Sequence, residues 1–216
     1  MKQHLSEQER WHLDQRVASA EKQTGAQVVL AVIEKSDSYA ELPWKAFALG
    51  AAVTGLAVTM LDLLHSPWST SFTLFFGVTA TLIAGAVCAL LCVALPNFAR
   101  HFLDAHRTEV ETRQYAESLF LSREVFATHK RTGILLLVSL FEKRIVVLPD
   151  TGLRRRLNSD VLQVIISRMT APLAAGQVGR ALEAGLAGLE EFLGTGATTA
   201  SGANELPNAI VEEEGP

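Results

Sequence analysis

Cysteine is scarce in this chain, and so is charge. Two cysteines in 216 residues, Cys88 and Cys92, provide no disulfide framework. They stand at i, i+4 inside an apolar run with no histidine or acid beside them, so small-residue packing is expected rather than metal or redox chemistry. Charged residues make up 19% and the formal net charge is -4. That balance supplies no basic field for neutralising phosphates and argues against a nucleic-acid partner. Met1 to Thr24 has neither an apolar h-region nor a small-residue cleavage site, so no secretory signal is expected there. Glycine-rich phosphate loops, Ser-His-Asp order signals and Cys-His pairs are missing. The histidines are scattered, and His101 and His106 miss the i, i+4 spacing of a helical zinc pair.

What the chain has in excess is apolar residues, 49% of the total with a mean hydropathy of +0.22, and the excess is local. Residues 44–64 read WKAFALGAAVTGLAVTMLDLL and residues 72–95 read FTLFFGVTATLIAGAVCALLCVAL. At about 1.5 Å per residue, helices of about 21 and 24 residues reach roughly 31 and 36 Å, enough to cross a hydrocarbon core of about 30 Å. The short connection at 65–71 predicts a hairpin. Trp44 and Trp68 suit the two interfaces, with Lys45 and Arg100 marking the end where the cations gather. The connection has neither Lys nor Arg, which predicts a two-span protein of the cell inner membrane with both termini cytoplasmic.

Small residues recur every fourth position, at Ala51, Gly55 and Thr59 and at Gly77, Thr81, Gly85 and Ala89. They predict close packing of the two helices on each other, with a homo-oligomer as the alternative. Asp62 lies within a turn of the outer interface and reads as a boundary residue.

The remainder reads as one α/β domain split by the hairpin, in a first part at 1–42 and a second at 97–193, with the hairpin at 43–96. Ser6-Glu7-Gln8-Glu9 is a capping box opening a helix whose stripe is Trp11, Leu13, Val17 and Ala20, closed by Gly25. Gln27 to Glu34 is a buried strand. Asp104 to His129 is a helix or a broken pair. ILLLVSL after Gly133 and RIVVL at 144–148 form an antiparallel hairpin across Glu142-Lys143. Helices at 159–169 and 177–193 follow. From Gly194 the composition predicts a disordered tail, 194–216. A lone strand at 27–34 must join the later strands, so both parts have to meet on one side of the hairpin.

The run LSEQERWHLDQRVASAEKQTGAQVVLAVI, the segment YAESLF at 115–120 and RTGILLLVSLFEKRIVVLPDTGL together resemble the TPM domain. The likeness extends over nearly all of the chain outside the hairpin and the tail. It implies a TPM-like α/β/α sandwich with a small mixed sheet, in a subgroup of bacterial membrane proteins with an inserted hairpin. It also implies an accompanying LemA-type membrane protein. Some relatives are described as acid phosphatases or calcium binders, so divalent metal, calcium or magnesium, enters by resemblance alone; no other cofactor is expected. The residues departing from the family pattern are Thr132, before Gly133, and Asp150-Thr151-Gly152 after the third strand.

Two functions follow as expectations. One is a membrane-anchored interaction or assembly module. The other is a metal-assisted acid phosphatase-like hydrolase using Asp150 and Asp160 as catalytic or metal-binding carboxylates. Asp150 also suits a turn and Asp160 the first turn of a helix. Arg154-Arg155-Arg156 reads as a solvated turn, or as a contact for anionic headgroups.

Overall fold

The computed structural model describes residues 5–64, 71–194 and 210–215, without the side chains of 71–73. It divides into two units, Met1–Asp37 with His106–Pro216, and Ser38–Ala105.

The first unit opens with α1 (Glu7–Thr24). Ser6 accepts the Glu9 amide through its hydroxyl while the Glu9 carboxylate accepts the Ser6 amide, the reciprocal cap expected from the sequence. Gly25, at φ 69°, ends the helix in the left-handed region. Leu13, Val17 and Ala20 face inward, but Trp11 does not: it is 64% exposed. β1 (Gln27–Ile33) follows, buried on both faces. After the second unit come α5 (Ala105–Ser122), a 3₁₀ turn at Val125–Ala127, β2 (Gly133–Ser139), β3 (Arg144–Pro149), α6 (Ser159–Ala174), α7 (Val178–Leu193) and β4 (Val211–Glu213).

The sheet order is β3-β2-β1-β4. β1 runs parallel to β2 over all seven residues, from Gln27↔Gly133 to Ile33↔Ser139. β2 and β3 are the expected antiparallel hairpin, with Lys143 at φ 51° in its turn. Alternation along the strands sorts two cores. Val28, Leu30, Val32, Ile134, Leu136 and Val138 meet α1, α6 and α7 on one face. Val29, Ala31, Ile33, Leu135 and Leu137 meet α5 and the 3₁₀ turn on the other. The fold is thus an α/β/α sandwich on a mixed sheet.

One expectation is corrected. The tail from Gly194 was expected to be disordered to Pro216, yet its far end is β4, paired in parallel with β1 at Ala31↔Val211, Val32↔Glu212 and Ile33↔Glu213. Composition hid this strand because Val211 is its one apolar residue, with Ile210 just before it; each is 7% exposed. Residues 195–209 lie outside the described residues.

The second unit holds α2 (Leu42–Leu64), α3 (Ser71–Ala94), the short α4 (Pro96–Ala99) and a 3₁₀ turn at Arg100–Phe102. Its two long helices pack on each other along the small-residue stripes. A Cβ on Gly50 would stand 2.6 Å from Cys88 Sγ, one on Gly85 2.8 Å from the Phe47 ring, and one on Gly77 3.1 Å from Val58. The Cys88 thiol faces this seam, and Cys92 is buried.

Leu136, fully buried between α6, α7 and the sheet, tests the larger core. Leu136→Ala should cost about 2–5 kcal/mol, read as a lowered denaturant midpoint of the purified chain with an unchanged slope.

Candidate functional site

The sheet has two ends, and the side chains gathered there differ in kind. The carboxyl end of β3 lies beside the amino end of β2, since Ile134 pairs with Pro149. Here the Asp150 amide donates to the Gly133 carbonyl at 2.8 Å and the Gly152 amide to the Arg131 carbonyl at 3.0 Å. Gly152 has no room for a side chain, because a Cβ would approach the Lys130 carbonyl oxygen to 2.5 Å. Arg131 sits at φ 56°, a costly conformation that this clamp holds in place.

Asp150 is 4% exposed and its carboxylate is engaged. Oδ1 accepts the Thr151 amide at 2.6 Å, and Oδ2 lies 3.0 Å from Arg131 Nε as an ion pair rather than an aligned hydrogen bond. Asp160 is instead exposed in the first turn of α6, capped by Asn158. No contact joins the two acids, and no group of three or more His, Cys, Asp or Glu suited to a metal occurs among the described residues. The geometry gives Asp150 the work of fixing one loop to another.

The opposite end of the sheet holds a cluster not singled out from the sequence. Ser139, fully buried at the end of β2, donates to Glu142 Oε2. Ser36, just past β1, donates its amide to Glu142 Oε1 at 2.8 Å and its hydroxyl to the same oxygen at 2.7 Å. Ser36 Oγ is also 3.2 Å from Thr112 Oγ1 on α5, which donates to the Thr108 carbonyl at 2.7 Å. Arg107 and Asp37 pair at 2.7 Å alongside. Carboxyl ends of parallel strands are where open α/β sheets place their ligand sites. Here the hydroxyls are turned onto Glu142, so the cluster ties the β2–β3 turn to the segment leaving β1. A serine inside the apolar strand ILLLVSL, with an acid three residues on, was the available signal.

A third set clasps β4. Arg10 meets Glu212 at 2.5 Å on the α1 face. Tyr115 donates to Glu213 at 2.6 Å and Arg123 pairs with it at 2.8 Å on the α5 face. The Tyr115 hydrogen bond, followed by Arg123, holds the Glu213 carboxyl below its ordinary range despite partial burial. Burial first, then the bond to Glu213 and its charge, push the Tyr115 phenol up.

In the hairpin unit, Trp44 is 74% exposed and meets Phe47 edge to face. Lys45 Nζ reaches the Phe102 carbonyl at 3.4 Å, and Arg100 donates to Asn97 at 2.7 Å. Trp68, the other expected interfacial residue, lies outside the described residues, as does His65. Arg154, Arg155 and Arg156 are exposed in the turn after β3. They stand at the end of the sheet opposite Asp37 and Arg107, where the chain leaves and re-enters this unit.

These features define the class of protein: a three-layer α/β/α domain interrupted, after its first strand, by a helical hairpin. Residues 101–192 match the sequence model of the TPM domain family. Among solved structures it is similar to the NMR structure of the BA42 protein from the psychrophilic bacterium Bizionia argentinensis sp. nov., at 12% identity. That likeness covers 98% of this chain and 97% of the other with a TM-score of 0.55, and at such identity it speaks to fold alone. No curated protein matches the chain.

Two tests follow from these contacts. Arg131→Met leaves a buried carboxylate oxygen without its cation and should destabilise the chain by about 1–3 kcal/mol; adding Asp150→Asn should restore part of that in chemical denaturation. Because Glu213 titrates below its unfolded value, its contribution is complete above about pH 4.3 and is lost as pH falls through the lower folded value. Denaturant midpoints should therefore fall more steeply on acidification in the wild type than in Tyr115→Phe.

Proposed function

We propose that this chain is a membrane-anchored TPM-domain protein of the inner membrane, whose α/β domain serves as an interaction or assembly module on the cytoplasmic side. The observation that carries the anchoring is exposure. The most apolar windows of α2 and of Leu74–Ala94 have mean hydropathies of 1.9 and 2.3, and 6% and 17% of them are buried. A core helix of a water-soluble protein passes the same length test while hiding its apolar face. These helices instead show outward Leu49, Val53, Leu56, Phe75, Phe76, Ile83 and Leu90, each more than half exposed. Contiguous apolar surface of that extent needs lipid or a partner. Lys45 and Arg100 at the base, against a 65–70 connection lacking Lys and Arg, support the cytoplasmic orientation of both ends.

The module reading rests on what the polar side chains do. Asp150, Glu142, Glu212 and Glu213 each accept from or pair with side chains of the same unit, which favours a scaffold over a reacting centre. LemA-type membrane proteins are the partner class that the family resemblance supplies.

Membranes washed in alkaline carbonate should retain the wild-type chain. Ile83→Arg places a cation at mid-span at a cost of about 2.5–3.5 kcal/mol and should lower the membrane-bound fraction. In a Cys88→Ala, Cys92→Ala background, Ser69→Cys should react with an impermeant thiol reagent from the outside of intact cells, while tags at both ends stay protected. Release of the wild type by carbonate, or a tag labelled from outside, overturns the proposal.

A further inference from the structure

We propose that the end of the sheet bearing Arg154, Arg155, Arg156 and Lys130 is a docking surface for an acidic polypeptide segment of a partner protein. The proposal rests on the module reading above and gives that module a face and its partner a chemistry. It involves the α/β unit alone.

Elsewhere in this unit every arginine is engaged, most often by a carboxylate. Arg10 pairs with Glu212, Arg16 with Glu190, Arg107 with Asp37, Arg113 with Glu117, Arg123 with Glu213 and Arg168 with Glu191. Arg154, Arg155 and Arg156 stand together, all exposed, and none has a carboxylate partner among the described residues. Lys130 is exposed and likewise unpaired on the neighbouring loop. The two loops touch, since a Cβ on Gly152 would stand 2.5 Å from the Lys130 carbonyl oxygen. The nearby carboxylate of Asp150 cannot neutralise the group, because it is 4% exposed and already taken by Arg131 at 3.0 Å.

The cations are presented on a fixed turn. Leu153 and Leu157 are buried on either side of them, and the Arg156 and Leu157 amides both donate to the Leu153 carbonyl at 2.9 Å. Asn158 then caps α6 by accepting the Val161 amide at 2.9 Å. Guanidinium forks match carboxylates bidentately, and a backbone already held in place loses less freedom when they do so. The patch is also short. Asp160 follows it in α6, and Glu124 precedes the 3₁₀ turn whose Val125 carbonyl abuts Gly133. A segment of a few acidic residues fits between these acids. A bilayer plane or a nucleic acid would extend over them, and over a chain of net charge -4. Complementary charge of that limited extent selects a partner and speeds its encounter.

The full-length chain in phosphatidylcholine nanodiscs, titrated with a labelled octaglutamate peptide, provides the test. The wild type should bind saturably, and Arg154→Glu, Arg155→Glu, Arg156→Glu should weaken binding at least tenfold. Arg113→Glu, Arg168→Glu, Arg180→Glu makes the same change of charge elsewhere on the unit and should stay within threefold of wild type. If the first variant does not fold, the milder Lys130→Ala, Arg155→Ala should still weaken binding at least threefold. The ratio between wild type and variant should persist when a third of the disc lipid is phosphatidylglycerol; its collapse assigns the patch to the bilayer and overturns the proposal. Absence of saturable binding, or equal loss in the control variant, overturns it too. A chain that ignores the peptide yet is recovered in a larger assembly from solubilised membranes keeps the module and loses this surface. None of these outcomes alters carbonate extraction or tag topology, so this surface and the anchor stand or fall separately.

Discussion

The parallel pairing of β1 with β2 is the constraint on which everything else rests. β1 is buried on both faces and flanked by β2 and β4; its long partner is synthesised only after the whole second unit has been made. Seven residues in register, Gln27↔Gly133 to Ile33↔Ser139, require the chain to return to the level at which it departed. An insertion can do this if it is a closed excursion, and two antiparallel helices provide one. The Arg107–Asp37 pair and the Ser36–Glu142 bonds secure the neck at the two strands of passage. Loop-closure entropy grows slowly with length, so a long insertion there costs little once both ends are pinned.

The same requirement explains the glycines of the hairpin. In the proposed membrane setting, helices with apolar outer faces gain little from hiding apolar side chains from lipid, and close backbone approach becomes the means of association. Gly50 against Cys88, Gly85 against Phe47 and Gly77 against Val58 supply that approach along the length of the pair. The stripe therefore has an occupant within its own unit.

Much of this was legible from residues. The capping box, Gly25, the β2–β3 hairpin and the two long apolar helices each rest on local chemistry, and local chemistry survives folding unchanged. What was missed depends on residues far apart in sequence. β4 has one apolar residue, Val211, followed by two acids, and it is held by Arg10 on α1, by Tyr115 on α5 and by Arg123 just beyond α5. Trp11 misled in the opposite way, since a large apolar side chain at helical spacing reads as core yet stands 64% exposed. The candidate acids divided for a physical reason. Asp150 was chosen for its place at a strand end, but a strand end adjoining the clamped Arg131 offers a cation and a backbone amide rather than a second carboxylate.

The polar residues at the two ends of the sheet are the reason the domain is proposed as a scaffold. A reacting centre needs groups whose hydrogen-bonding capacity is held open for substrate. Glu142 receives three donors from Ser36 and Ser139, all within the unit, and Ser139 is fully buried. Donors already committed to a carboxylate in the interior are costly to withdraw, since each would leave a buried polar atom unmatched. The network therefore resists motion at the neck, and it fixes the turn between β2 and β3 relative to the point where the chain departs for the hairpin. The interaction-module proposal rests on that rigidity.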